Sequence, residues 1–211
     1  MSSATLAAFA VVAFVGIATP GPTVLLALSN GSRYGVGRAL PGMFGAVVSD
    51  FVLIGAVSLG LGALLAASEF WFSVVKWVGV AYLAFLGVSM LRSSGTLHLA
   101  AIDGAAPLQS SPRALFSKAF LVAVTNPKGY LFFSAFLPQF IDPTLPQAPQ
   151  YLTLAMIFAA LDFLIMAGYA VLGAQAARLL VGSAARWLDR ICGGVLLALA
   201  WSLAFYRRAA P

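Results

Sequence analysis

The chain is short of charge, of cysteine and of histidine, and each shortage excludes something. Charged residues make up 9% of its 211 residues and hydrophobic ones 62%, against about 25% and about 45–50% in soluble globular domains. A water-soluble fold of this length could not cover its surface with so few charges. The one cysteine, Cys192, rules out an intrachain disulfide and reads as a packed apolar side chain. The one histidine, His98, stands in a polar stretch with no cysteine or second histidine beside it, so no metal cluster can be built around it. No cofactor is expected. A basic stripe with a stacking platform is also missing, which removes nucleic acid as a partner despite the net charge of +6. No nucleophile–base pair stands out among Ser, Asp and Lys, so an enzyme is not expected. The first basic residue is Arg33; the N-terminal apolar run lacks the basic start of a cleaved signal peptide and reads as a retained span.

What is present is apolar sequence in long runs, with a mean hydropathy of +0.98. Six segments approach or exceed the roughly 20 residues that cross a hydrocarbon core: about 5–29, 39–66, 70–91, 114–137, 151–174 and 187–206. They lack the alternation of barrel strands, and a backbone in hydrocarbon must satisfy itself, so each is expected to be helical. The fold class is an all-α membrane protein of six transmembrane helices. In that arrangement Arg33, Arg38, Arg92, Arg113, Lys118, Arg178, Arg186 and Arg190 fall on one side and Lys76, Arg207 and Arg208 on the other. The basic excess places the first group in the cytoplasm and both termini outside; the Arg207–Arg208 pair speaks against this, and a five-span arrangement stays open.

Three landmarks recur in order. Thr19-Pro20-Gly21-Pro22 in the first segment is echoed by Thr125-Asn126-Pro127-Lys128 in the fourth. Asp50 follows in the second and Asp162 in the fifth; Lys76-Trp77 opens the third and Arg186-Trp187 the sixth. Because three spans separate the copies, the second would enter from the opposite side. The expected organisation is a three-helix repeat at 1–92, a cytoplasmic linker at 93–113 and an inverted repeat at 114–211.

Proline inside a helix removes a hydrogen bond and clashes with the preceding turn. Thr19-Pro20 and Asn126-Pro127 each read as an N-cap followed by proline at the first helical position, so each would start a fresh half-helix deep in its span. A half-helix N-terminus offers unpaired N–H groups and the positive end of a dipole, which suit a carboxylate. Gly21 and Gly129 would let backbone approach a ligand. Candidate substrate-binding residues are therefore Thr19, Pro20, Gly21, Pro22, Thr125, Asn126, Pro127, Lys128 and Gly129. Asp50 and Asp162 lie near the middle of their segments, where a carboxylate costs about 2.5–3.5 kcal/mol on insertion scales. They are candidates for proton coupling or for binding a substrate ammonium, with Lys128 balancing charge. A static polar cluster would also accommodate these three charges.

The same residues resemble the LysE/RhtB family of amino-acid exporters. The resemblance is carried by Thr19-Pro20-Gly21-Pro22, by the loop Arg33-Tyr34-Gly35-Val36-Gly37-Arg38, and by the long run from Asn126 through Pro138-Gln139-Phe140, and it covers essentially the whole chain. It implies export of amino acids or close derivatives across a bacterial inner membrane, coupled to inward movement of protons. Its partners would be a small amino-acid substrate, protons and membrane lipid, and a homodimer is compatible with it. After Pro22, where such exporters often carry Asn or Asp, this chain has Thr23, so the resemblance does not select a substrate. The competing reading is a cation or metal-ion exporter or channel, in which the two intramembrane acids would be ligands.

Overall fold

A computed structural model describes residues 1–19, 21–60, 69–92, 111–179 and 184–205; Pro20 and most of the expected linker lie outside them. Among the described residues the regular structure is helical throughout. Eight α-helices follow in order: α1 (Ser3–Ala18), α2 (Pro22–Tyr34), α3 (Val36–Ser58), α4 (Glu69–Leu91), α5 (Pro112–Val124), α6 (Pro127–Ala135), α7 (Gln147–Leu179) and α8 (Ala184–Phe205), with a short 3₁₀ turn at Leu137–Phe140. Each expected apolar segment carries one of them, and the first and fourth carry two. α3 stops at Ser58, short of the expected end of its segment, and α7 runs 33 residues, longer than its segment.

Local chemistry sets several boundaries. Ser2 Oγ accepts the Thr5 amide at 3.1 Å and starts α1. Gly35 separates α2 from α3 with φ of 76°, a left-handed conformation that side chains with a Cβ resist. Ser111 Oγ accepts the Ala114 amide at 3.2 Å, and Pro112 occupies the first helical position of α5. Before α7 the buried Gln150 ties down its own lead-in: its Nε2 donates to Asp142 O at 2.9 Å and its Oε1 accepts the Asp142 amide at 2.9 Å. The exposed Asp142 carboxylate accepts the Thr144 hydroxyl and amide, which holds it below the usual carboxylate range.

α3 and α7 are each long and apolar enough to cross a membrane, and the pairs α1–α2 and α5–α6 also qualify if each bent pair is one span. α7 packs along α2, α3 along α5, α4 along α8, and α3 and α7 meet each other. Glycine allows the closest of these approaches. A Cβ on Gly173 would collide with the Leu28 carbonyl, one on Gly31 with Ala170, and one on Gly45 with Phe116. Gly87 and Gly193 face each other across α4 and α8, where a Cβ on either would stand within 2.9 Å of the other's carbonyl oxygen. Without water to squeeze out between them, membrane helices associate through such close packing. Two apolar cores result around α3 and α7. One joins Ile17, Leu53, Phe133, Leu154 and Phe158, and the other joins Val24, Ala27, Met43, Ala46 and Met166. Val11 and Phe14 of α1, Phe44 of α3 and Leu164 of α7 stay exposed on the outside, as lipid-facing side chains do.

Two glycines of α7 separate packing from propensity. Gly173→Ala should destabilise the protein by about 1–3 kcal/mol through overpacking against α2, whereas at Gly168 a Cβ meets nothing within 4 Å and Gly168→Ala should be neutral or stabilising. Thermal unfolding of the two variants in detergent measures the difference; equal effects would show that the α2–α7 contact is looser than described.

Candidate functional site

The first break lies between α1 and α2, which meet at 62°. Thr19 closes α1: its amide and its hydroxyl both donate to Val15 O, at 3.2 and 2.8 Å. α2 begins at Pro22 with Gly21 as its N-cap and no side-chain capping bond. This corrects the expectation that Thr19 caps a new half-helix at Pro20. Thr19 is a C-cap, and the proline that starts the new helix is Pro22, two residues on. Pro22 has no N–H, so the uncapped donors at this end belong to Thr23 and Val24.

The second break, between α5 and α6, bends by 55°. Thr125 closes α5 as Thr19 closes α1, its hydroxyl donating to Leu121 O at 2.6 Å. Asn126 is the N-cap and Pro127 the first residue of α6, as the motif predicts. Asn126 Oδ1 accepts the Lys128 amide at 3.1 Å, and the Gly129 amide donates to Asn126 O at 3.0 Å. This helix start is therefore satisfied from within, and of the two breaks it is the start of α2 that is left open.

The broken end of α1 is received by the other half of the chain. Lys128 Nζ, from α6, donates to Thr19 O at 2.6 Å. Tyr169 of α7 donates its hydroxyl to Ala18 O at 3.1 Å. These carbonyls are the negative end of the α1 dipole, where a cation is favoured. Gly21 lies beside the lysine: a Cβ there would stand 3.6 Å from Lys128 Nζ, an ordinary contact.

Asp50 of α3 and Asp162 of α7 are 8% and 6% exposed. Their carboxyl groups lie within hydrogen-bonding range of each other, and Lys128 is close enough to Asp162 for a direct charge interaction. Asp50 Oδ2 is buried and makes no hydrogen bond. Both acids line one cavity of about 60 Å³, together with Thr23, Asn126, Lys128 and Gly129. A water needs roughly 10–15 Å³ on this measure. The space is several times that minimum.

Of the residues expected at the site, Asp50, Asp162, Asn126, Lys128 and Gly129 line the cavity. Thr19 takes part through its carbonyl; Gly21, Pro22, Thr125 and Pro127 shape the breaks behind it. Thr23, Tyr169, Leu53 and Phe158 were not singled out from the sequence as site residues. A signal for three of them exists in the helical period. Leu53 lies three residues after Asp50, Phe158 four before Asp162 and Tyr169 seven after it, spacings that return to the same helix face. Among the described residues no group of three or more His, Cys, Asp or Glu side chains could hold a metal ion.

Residues 14–207 match the model of the LysE type translocator family. The chain belongs to this family. LysE type translocators are transporters and not enzymes. A "homoserine/homoserine lactone efflux protein" of Salmonella typhimurium is 33% identical over 192 residues, covering 90% of this chain and 91% of its own. A "leucine efflux protein" of the same organism is 31% identical over 159 residues, 72% of this chain and 73% of its own. An "uncharacterized membrane protein" of Vibrio cholerae is 36% identical over 171 residues, 81% and 82% of the two chains. No solved structure matches.

If this translocator depends on a side chain to hold the end of α1, Tyr169→Phe should cost about 1 kcal/mol of stability. Thermal unfolding in detergent reads it; an unchanged midpoint would mean that the Ala18 carbonyl does not need the tyrosine.

Proposed function

We propose that this LysE type translocator exports amino acids or close derivatives from the bacterial cytoplasm by proton antiport. The observation that carries the reading is the meeting of Asp50 and Asp162, from two different helices, in one cavity beside the open start of α2. An ionised carboxylate only accepts hydrogen bonds, so these two carboxyl groups could bond each other only with a proton between them. A substrate ammonium would want the same oxygens. Proton and cargo then compete for one place, and competition of that kind is what antiport requires. The Thr23 and Val24 amides and the Thr23 hydroxyl would take the substrate carboxylate, at the positive end of the α2 dipole. The names of the two efflux relatives support amino-acid cargo.

Six spans in two inverted three-helix repeats, 1–92 and 114–211 joined by a cytoplasmic linker at 93–113, would place these groups at mid-bilayer with both termini outside. The breaks at corresponding places in the two halves and the pairing of α3 with α5 and of α7 with α2 favour this plan. Rocking of one repeat against the other would open the cavity to each side in turn. The bonds from Lys128 and Tyr169 to the end of α1 are contacts that such a motion has to remake.

Asp50→Asn and Asp162→Asn should each abolish export driven by a pH gradient in proteoliposomes, by tenfold or more, while the protein still reaches the membrane. Normal pH-driven export by both variants would remove the coupling role from the pair.

A further inference from the structure

The cavity has two unlike ends. Asp50, Asp162 and Lys128 gather at one, with Thr23 and Asn126. One helical turn away on each contributing helix the lining becomes apolar: Leu53 on α3, Phe132 on α6, Phe158 on α7, with Ile17 and Gly16 on α1. Contacts show that these residues share a level. A Cβ on Gly129 would stand 3.3 Å from Leu53 Cδ1, and one on Gly16 would stand 3.2 Å from Phe132 Cε2. The Phe132 and Phe158 ring centroids are 5.4 Å apart, and Phe133 backs both, at 5.7 and 4.7 Å. Phe133 and Phe158 are buried; Phe132 is half-buried.

We infer that this apolar end is a side-chain subsite, and that the cargo is a zwitterionic α-amino acid with a neutral, apolar side chain. The inference rests on the exporter reading and adds the chemical class of the substrate. A zwitterion carries one ammonium and one carboxylate, which the polar end can receive while its side chain points along the cavity to Phe132 and Phe158. A basic or acidic side chain on the same backbone would bring its charge among phenyl rings and Leu53. None of these is a hydrogen-bonding partner, and an unpaired charge there is strongly disfavoured. The bare Cα of Gly16 lets Phe132 stand where it does, because a Cβ there would crowd the ring at 3.2 Å.

Counterflow in proteoliposomes of the purified protein tests this. Vesicles are preloaded with unlabelled leucine, phenylalanine, lysine or glutamate, and uptake of labelled leucine is followed. Leucine loading should drive uptake at least tenfold better than lysine or glutamate. Phe158→Ala should raise phenylalanine relative to leucine by about tenfold, the scale on which apolar pockets discriminate. Phe132→Leu, at a half-buried position, makes the same comparison with less risk to folding and should move the ratio in the same direction. If lysine matches leucine, or both variants scale every amino acid alike, the apolar end does not hold the side chain; amino-acid export stands and this inference falls. If no loaded amino acid drives uptake, the exporter reading fails and the subsite with it.

Discussion

The Lys128 ammonium donating to the Thr19 carbonyl at 2.6 Å is the contact on which the rest of the site depends. Carbonyls at the end of a helix in hydrocarbon cost several kcal/mol each if unmet. The end of α1 has no following turn to meet them, and the partners come from elements more than a hundred residues away, Lys128 on α6 and Tyr169 on α7. The first break is thus held by side chains from the second half of the chain. The lysine in turn brings a charge into the interior, and Asp162 lies beside it to compensate. Asp162 meets Asp50, and the cavity opens between them. Each feature makes the next one tolerable.

The two breaks are built alike at their first halves and differently at their second. Thr19 and Thr125 both fold their hydroxyls back onto the carbonyl four residues earlier, so the hydroxyl proton of each is already engaged. The helices that follow diverge. Asn126 fills the start of α6 with its own side chain, whereas Gly21 leaves the start of α2 bare. In the same way the second half lends the first its lysine and tyrosine, and the α1 carbonyls receive them. On the proposed reading this difference gives the site a distinct anion end and cation end, which an amino acid, itself a dipole, needs in order to bind in one orientation.

Much of this was readable in the residues. Helical runs declare themselves through hydropathy. Deep prolines mark breaks because no other residue forbids the ladder so firmly, and acids in apolar runs are conspicuous because of their cost. The position of the first break was misread by two residues. Thr-Pro and Gly-Pro both fit the start of a helix, and in the fold Thr19 is instead bonded back to Val15 and held by Lys128. Tyr169 and Phe158 carry no local signature; they matter because Asp162 fixes which face of α7 turns inward. The reach of Lys128 across the break links parts of the chain too distant for spacing to connect.

A cysteine at position 23 tests the central claim most directly, that the open start of α2 lines the path of the cargo. Cys192 is the lone native cysteine and is 1% exposed, so Thr23→Cys in a Cys192→Ser background leaves one thiol to follow. A membrane-impermeant methanethiosulfonate reagent is applied to vesicles from each side, with and without a mixture of the standard amino acids. The account predicts modification from water and slowing by the mixture. An unchanged rate in its presence, or no modification in a variant that still exports, would contradict it.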